Sequence, residues 1–387
     1  MMLYSIMLNS TTFERVSMNP FKYGQVVSAD DFCPRPALMK QIDESIKAGQ
    51  NIVLQGERRT GKTSLIHETV RRLKKRSMLY IDLLEIKDSD DLCKRMVKAI
   101  ISLERQSGFL DRILRALTHL RPTVSVDPLT GEPSISLDAA VSLKPDSIDG
   151  ILDLVEDIHK RRPLVVMFDQ FQDILNLRSS KETLAALRSK IQFHSRIPYV
   201  FAGSIRNQML EIFTDPDSPF FKSAIPIEVG PLDRDHFKKF LRDKFATGKR
   251  TVDDDVLDTG FEIAGDLPGD VQQYCGALWD STTDKARISK PAIPEAMHLI
   301  FSRESKGYES ILVQLTGHQV RCLVGLARFG GASPYSGSFL QGIGISSPAS
   351  VKKALHRLTQ LKIVYRRGNE FRFVNPFFRA WLLWKNL

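Results

Sequence analysis

The first two thirds of the chain alternate between helically spaced apolar residues and short, continuous apolar runs. The spacing of Leu38, Ile42 and Ile46 predicts a helix from 37 to 48. The pattern then predicts a strand, a helix and a second strand, over 51–54, 64–75 and 78–83. A strand, loop, helix and strand in this order form a βαβ unit, which builds a parallel sheet. This part of the sequence therefore predicts an α/β domain.

Three more apolar runs extend the predicted sheet. Residues 164–168 and 199–202 each follow a proline or a polar turn and are interpreted as the third and fourth core strands, with 225–229 as a fifth. Helices are predicted at about 89–106, 148–160 and 180–193. Between the first two of these helices, apolar and polar residues alternate around a turn from Val124 to Leu137, which predicts an inserted β-hairpin.

Beyond residue 230 strands are expected to cease and helices to dominate. Four helices, at 234–246, 252–264, 268–279 and 293–304, predict a helical lid domain. Three further helices and two short strands, at 317–328, 336–343, 349–361, 362–366 and 370–374, follow in the order of a winged helix. We therefore predict an amino-terminal extension, an α/β core, a lid and a winged helix, over 1–18, 19–230, 231–312 and 313–387.

Bulk composition places the chain among ordinary globular proteins. It has 387 residues, of which 42% are hydrophobic and 26% charged, so several domains are expected and a disordered or fibrous chain is excluded. The sequence has no apolar run of about 20 residues for a membrane span and no recognisable leader. The four cysteines are far apart, which disfavours a disulfide framework or structural zinc. A cytoplasmic protein is predicted.

The positive charge of the chain is concentrated at its end. Residues 316–387 contain eleven of the 55 Lys and Arg residues but only one of the 45 acids, Glu370. This segment alone therefore carries +10, which equals the net charge of the whole chain. A neutral body with a cationic last domain predicts that this domain meets a polyanion or an acidic partner.

A phosphate-binding motif lies between the first predicted strand and its helix. The GxxxxGK[ST] pattern is matched by Gly56, Glu57, Arg58, Arg59, Thr60, Gly61, Lys62 and Thr63, with Ser64 following. Glycines allow backbone N–H groups to surround phosphate oxygens, and the helix N-terminus favours negative charge at the same place. Lys62 would contact the β- and γ-phosphates, and the Thr63 hydroxyl would ligate Mg²⁺. The motif predicts binding of ATP or ADP with magnesium.

The end of the third strand supplies the acidic partner that a P-loop needs. Asp169 is predicted to hold the Mg²⁺ hydration shell, and Gln170 stands where related ATPases usually have Glu as the base. An amide cannot accept a proton from water, so slow hydrolysis is predicted unless Asp173 substitutes. The alternative is that Gln170 positions water well enough, as a Gln does in some GTPases. Ser204, at the end of the fourth strand, either senses the γ-phosphate or caps the next helix.

With these residues in view, the chain resembles the archaeal-type ATPase family of the STAND group of P-loop NTPases, relatives of AAA+ and origin-recognition ATPases. The resemblance runs from about Asn19 to the end and rests on residues 19–24, 32–35, 56–64, 168–172, 203–204 and 373–378. It implies a five-stranded parallel core with the P-loop strand beside the sensor strand, a lid and a winged helix. It also implies adenine contacts from Tyr23, Gln25, Phe32, Arg35 and Pro268. The chain departs from the family pattern at Cys33-Pro34, at Gln170 and at Asp266-Leu267.

The third helix of the predicted winged helix has a cationic outer face. Its apolar stripe leaves Lys352, Lys353, His356 and Arg357 outward, and the predicted wing carries Arg366, Arg367 and Arg372. One interpretation is a recognition helix in the major groove of DNA with the wing on phosphate. The other is a winged helix that contacts protein, folding back on the core. A second basic run, residues 71–76, is attributed to the C-terminus of the P-loop helix.

These features predict a nucleotide-dependent switch, an enzyme that hydrolyses ATP slowly. One rival is a DNA-binding winged-helix protein in which the nucleotide is structural, and another is a phosphotransferase, since P-loops also serve kinases.

Overall fold

The computed structural model describes residues 18–104, 122–126, 133–137, 145–204 and 206–386. These residues fall into two compact units. One comprises residues 24–232, and the other comprises residues 18–23 together with 233–386. The winged helix thus shares a unit with the lid.

A five-stranded sheet forms the centre of the first unit. Its strands are β1 (Ile52–Gln55), β2 (Ser77–Asp82), β5 (Leu164–Asp169), β6 (Tyr199–Gly203) and β7 (Ile225–Glu228). They are parallel and lie in the order β2-β5-β6-β1-β7. The predicted parallel sheet, with the P-loop strand β1 beside β6, is confirmed.

Helices cover both faces of this sheet. They are α1 (Pro36–Lys47), α2 (Lys62–Leu73), α3 (Ser89–Glu104), α4 (Pro145–Arg161), α5 (Ser180–Ile191) and α6 (Arg206–Thr214). Along β5 the alternate residues Val165 and Met167 pack with α1 and α2, whereas Val166 and Phe168 pack with α3, α4 and α5. Burial on both faces explains why β5 is a continuous apolar run rather than an alternating one.

The inserted hairpin is present. Strands β3 (Pro122–Val126) and β4 (Pro133–Leu137) pair antiparallel, with Val124 opposite Ile135. Its predicted turn lies outside the described residues.

The lid is helical, as predicted, with two differences. Its helices are α7 (Arg234–Ala246), α8 (Asp254–Ala264), α9 (Pro268–Asp280) and α10 (Ile293–Val313). Two-residue strands β8 (Thr251–Val252) and β9 (Arg287–Ile288) pair in parallel, so the expectation that strands cease was wrong. The last helix also runs to Val313 rather than ending near 304, because Tyr308 continues its buried face.

The winged helix is observed in the predicted order. It consists of α11 (Gly317–Phe329), α12 (Gly337–Ile343), α13 (Pro348–Gln360), β10 (Val364–Arg367), β11 (Glu370–Phe373) and a further helix, α14 (Pro376–Trp384). The sequence analysis missed α14, although its start signals are present. The Asn375 side chain accepts from the N–H groups of Phe377 and Phe378, and Pro376 occupies the first position.

Aromatic packing joins α14 to the lid helix α10. The Tyr308 ring lies 4.8 Å from the Phe378 ring and 5.4 Å from the Trp381 ring, measured between ring centroids.

Among the described residues, none of the helices combines the length and the apolar character that a membrane span requires. The four cysteines, Cys33, Cys93, Cys275 and Cys322, are buried and carry free thiols.

Candidate nucleotide site and winged-helix surface

The P-loop connects the end of β1 to the start of α2, as its sequence predicts. A Cβ at Gly56 would lie 2.5 Å from the carbonyl oxygen of Val229, the residue after β7. The P-loop can approach this backbone so closely only because residue 56 is a glycine. Gly61, at φ +86°, ends the loop in a left-handed conformation as the N-cap of α2. Arg59 is also left-handed, and both Arg58 and Arg59 are exposed. A loop of this shape directs successive N–H groups to one side, which suits phosphate oxygens.

The Lys62 ammonium group is hydrogen-bonded to the backbone of the P-loop itself. Its Nζ donates to the carbonyl oxygens of Gly56 (2.9 Å) and Glu57 (2.8 Å). Burial lowers the pKa of Lys62 to about 8, and the nearby Asp169 carboxylate opposes that shift. An ammonium group that has lost hydration gains more from a phosphate anion than an exposed one would.

Thr63 and Asp169 meet at the mouth of the loop. The Thr63 hydroxyl donates to Asp169 Oδ2 at 2.6 Å, and the Tyr80 hydroxyl donates to the same oxygen at 3.1 Å. The Gln170 N–H donates to Asp169 Oδ1 at 2.9 Å, so the buried carboxylate is fixed on both sides. A hydroxyl and a carboxylate oxygen are the ligands that Mg²⁺ prefers, and this donor set fits the ion.

Tyr80 is a site residue that the sequence analysis missed. It lies in β2, the strand adjacent to β5, and pairs in register with Met167. A hydroxyl-bearing residue within the apolar run Met78–Ile81 was the available signal. Only the strand order brings it to Asp169.

Gln170 is held by its neighbours rather than left free. Its backbone is left-handed, at φ +54°, and its amide oxygen accepts from Gln172 Nε2 (2.9 Å) and the Ser204 hydroxyl (3.1 Å). The structure thus brings Ser204 and Gln170 together at the ends of β6 and β5. Gln170 directly follows Asp169, and neither its amide nor the Ser204 hydroxyl is a proton acceptor of carboxylate strength.

Asp173, considered as a substitute base, has both carboxylate oxygens engaged. Oδ1 accepts from Gln172 Nε2 at 3.0 Å, and Oδ2 accepts from the Glu85 backbone N–H at 2.8 Å. Asp173 is therefore oriented by the same glutamine that contacts Gln170.

The segment before α1 is attached to the P-loop helix. The Val27 N–H donates to the Ser64 hydroxyl at 3.1 Å, and the Ala29 N–H donates to Glu68 Oε2 at 3.0 Å. Glu68 is buried and paired with Arg71 and Arg72, and hydrogen bonding from Arg71 lowers the pKa of its carboxyl to about 2. The loop beside the P-loop is therefore set by buried polar contacts.

Two residues expected at the adenine ring make other contacts in this unit. Phe32 is 5% exposed and packs in the core with Met39 and Ile42. The Arg35 guanidinium donates to the Thr60 carbonyl oxygen at 2.8 Å and to the Gly230 carbonyl oxygen. Gln25 is exposed. Arg35 thus links the P-loop to Gly230, among the last residues of the α/β unit.

The remaining expected adenine contacts belong to the lid unit. Pro268 is the first residue of α9, and the Tyr23 ring lies against Gly276 in the same helix. Eight residues of helix separate these two positions, about 12 Å along its axis.

The predicted outer face of the winged helix is exposed in α13. Lys352, Lys353, His356 and Arg357 are exposed, whereas the stripe of Val351, Ala354, Leu355 and Leu358 is buried. In the hairpin Arg366 and Arg367 are exposed at the turn, but Arg372 is half-buried and forms an ion pair with Glu370 at 2.7 Å. Arg372 therefore offers less free charge than the sequence suggested.

Comparisons with known proteins identify the fold. A Walker-type ATPase of Pyrococcus abyssi matches with 19% identity and a TM-score of 0.63, over 94% of this chain and 99% of that one. The ORC2 protein of Aeropyrum pernix, solved as ADPNP and ADP complexes, matches with 14% identity and a TM-score of 0.50, over 91% and 93%. A family model described as "Probable winged helix domain" matches residues 306–384. Curated protein sequences give no significant match.

The chain thus has the fold of an archaeal-type P-loop ATPase with a helical lid and a carboxy-terminal winged helix. The family resemblance is confirmed at the level of the fold. Among the described residues, no three His, Cys, Asp or Glu side chains converge on one point.

Proposed function

We propose that this protein is a nucleotide-dependent switch that binds ATP with Mg²⁺ and hydrolyses it slowly. The observation that carries the proposal is the contact between Thr63 and Asp169 beside the Lys62 ammonium group. Backbone N–H groups suited to phosphate, a buried cation and a hydroxyl–carboxylate pair suited to Mg²⁺ meet where the P-loop faces the end of β5, and this combination supports phosphoryl chemistry. The ORC2 protein, which shares the fold, was solved with ADPNP and ADP.

In this proposal each residue has one task. The backbone of residues 56–64 holds the phosphates, Lys62 neutralises the β- and γ-phosphates, and Thr63 with Asp169 holds the magnesium ion. That ion would neutralise charge on the transferred phosphoryl group. Within the α/β unit, Gln25, Phe32 and Arg35 are proposed to shape the adenine side of the site.

Slow turnover follows from the groups that face the attacking water. Gln170 and Ser204 can orient a water molecule through hydrogen bonds, yet neither removes its proton at neutral pH. The oxygens of Asp173 accept from the Gln172 side chain and from the Glu85 N–H, and we assign Asp173 a positioning role on Gln172 rather than that of the base.

The winged helix is proposed to bind duplex DNA through α13, with Arg366 and Arg367 on the backbone. The exposed cations of α13 lie on the face opposite the apolar stripe, so phosphate can reach them without unfolding the domain. ATP at the core would bias which partner this domain contacts.

The test compares nucleotide affinity and ATP turnover in wild type, Lys62→Ala and Gln170→Glu. Lys62→Ala should bind ATP more weakly, because it removes the buried cation. Gln170→Glu should hydrolyse faster, by up to about 10² to 10⁴-fold, since a carboxylate can act as general base. An unchanged rate in Gln170→Glu would remove the missing-base explanation, and unchanged ATP affinity in Lys62→Ala would remove the site itself.

The alternative, in which nucleotide is only structural, makes a different prediction. Duplex DNA affinity would then be the same with ATP, with ADP and without nucleotide. The switch requires the ATP and ADP values to differ.

A further inference from the structure

Two glutamines and an aspartate form a hydrogen-bonded chain just after β5. Gln172 Nε2 donates to Gln170 Oε1 at 2.9 Å and to Asp173 Oδ1 at 3.0 Å. The three residues lie in a tight turn, in which the Asp173 N–H donates to the Gln170 carbonyl oxygen at 2.9 Å. An amide has a donor side and an acceptor side, so the direction of the Gln170 amide decides which of the two a ligand would meet.

Asp173 fixes the direction of the Gln172 amide. An ionised carboxylate can only accept hydrogen bonds, and Asp173 Oδ2 already accepts from the Glu85 N–H at 2.8 Å. The other oxygen therefore needs a donor, which Gln172 can supply only from its nitrogen. Gln172 is 1% exposed, and a Cβ at Gly203 would lie 2.6 Å from its Oε1, so the amide has little room to move.

Gln172 in turn fixes the direction of the Gln170 amide. The Gln172 nitrogen carries two hydrogens, and the one that Asp173 does not accept is donated to Gln170 Oε1. The Ser204 hydroxyl donates to the same oxygen at 3.1 Å. Because two donors hold the oxygen of Gln170, its nitrogen is directed away from both of them, with its hydrogens available to a ligand.

The order of the strands places this amide beside the nucleotide site. Gln170 follows Asp169 at the end of β5, and Ser204 follows β6, which lies between β5 and the P-loop strand β1. Gly203 pairs in register with Gln55, the residue before the P-loop. A γ-phosphate held by the P-loop and by Mg²⁺ at Asp169 would therefore lie on the side of the sheet to which Gln170 belongs.

We propose that Gln172 and Asp173 are positioning residues that make Gln170 a hydrogen-bond donor to the γ-phosphate, so that the site distinguishes ATP from ADP. This inference rests on the proposed nucleotide site and supplies the contact by which a switch would sense its nucleotide. ADP lacks the phosphate oxygens that the donor would meet. In Gln170→Glu one carboxylate oxygen would stay with Gln172, and the other would take the place of the donor and face water.

The test reverses every donor and acceptor of the chain at nearly constant side-chain size and constant net charge. The reversed variant carries Gln172→Glu together with Asp173→Asn. The new amide at position 173 can accept from the Glu85 N–H with its oxygen and donate to position 172 with its nitrogen. The new carboxylate at position 172 offers only acceptors, so Gln170 must turn its nitrogen towards it and its oxygen towards the nucleotide.

Calorimetry with Mg²⁺ gives the affinities for ADP and for ADPNP, an ATP analogue that resists hydrolysis and keeps the γ-phosphate oxygens. In the reversed variant the ratio of ADPNP affinity to ADP affinity should fall about tenfold, the effect of losing one hydrogen bond to a charged group. ADP affinity should stay unchanged. Gln170→Met, the matched control that removes the donor itself, should lower the ratio by the same factor.

Combining the two variants separates positioning from a general structural defect. In the Gln170→Met background the reversal should leave the ratio unchanged, because both changes act through one amide. A reversal that lowers the ratio equally with Gln or Met at position 170 would overturn the proposal. An unchanged ratio in the reversed variant would do the same, and so would an unchanged ratio in Gln170→Met, which leaves the buried Gln172 in place.

Failure of the nucleotide site itself would look different. Wild type would then bind neither nucleotide, or Lys62→Ala would bind both as tightly as wild type, and the proposed function would fall together with this inference. If binding depends on Lys62 and the ratio resists the reversal, only the role of Gln170 as a donor is excluded.

Discussion

The Thr63 hydroxyl donates a 2.6 Å hydrogen bond to Oδ2 of Asp169, across 106 residues of chain. This contact places the two predicted magnesium ligands at one point, and Tyr80 holds the same oxygen from β2. Two donors on one carboxylate oxygen leave the carboxylate little freedom to turn. The described polar contacts of the site are therefore centred on Asp169.

Asp169→Asn should reduce the gain in ATP affinity that Mg²⁺ provides, by about 10- to 100-fold, while affinity without Mg²⁺ changes little. The reason is that an amide retains the size of the side chain but loses the charge that attracts the ion. Calorimetric titration with ATP, with and without Mg²⁺, measures both values. Tyr80→Phe is the milder companion, since it removes one hydrogen bond and keeps the carboxylate. Equal loss in the presence and absence of Mg²⁺ would indicate a folding defect instead.

Glu68 should make the stability of the α/β unit depend on acid pH. Its pKa is lowered to about 2 from 4.5, chiefly by hydrogen bonding from Arg71, so the folded protein binds this proton less readily than the unfolded chain does. The stabilisation is therefore complete above about pH 4.5 and is lost as the pH falls towards 2.

Glu68→Gln should lower the free energy of unfolding by about 1 to 3 kcal/mol at pH 6, the upper figure allowing no screening at the half-exposed arginines. The difference from wild type should shrink near pH 3. Urea denaturation at both pH values measures it, and a difference that does not change with pH would refute the ion-pair explanation.

Arg35→Lys distinguishes two roles for this position. A lysine cannot reach the carbonyl oxygens of Thr60 and Gly230 at once, so a joining role predicts a loss of about 1 to 2 kcal/mol in stability without nucleotide. An adenine contact, as the family resemblance implies, predicts weaker ATP binding at unchanged stability. Denaturation without nucleotide and titration with ATP separate the two, and no effect on either would exclude both.

Lys352→Ala with Lys353→Ala should weaken duplex DNA binding and lower its salt slope by about 2, because each lysine that meets a phosphate releases about one counterion. Arg372→Ala should have a smaller effect, since Glu370 already partners this guanidinium. Anisotropy with a labelled duplex over a salt series measures both. A larger effect of Arg372→Ala would place the DNA on β11 rather than on α13.

Local signals in the sequence predicted most of the fold. The run Leu164–Phe168 predicted a core strand, and the P-loop pattern predicted the turn into α2. These succeed because hydrophobic period and turn chemistry act over a few residues. The helix α14 was missed because its start signals, the Asn375 cap and Pro376, were not used as evidence for a helix. The strands β8 and β9 were missed because each contains only two residues, too few to show an alternating pattern.

The sequence by itself determined the nucleotide motif, the order of most strands and helices along the chain, and the basic winged helix, since each depends on neighbouring residues. Only the tertiary structure decided that Tyr80 meets Asp169 and that Arg35 joins Thr60 to Gly230. Those relationships come from the order of strands within the sheet, and residues far apart in sequence become neighbours only when the strands pair.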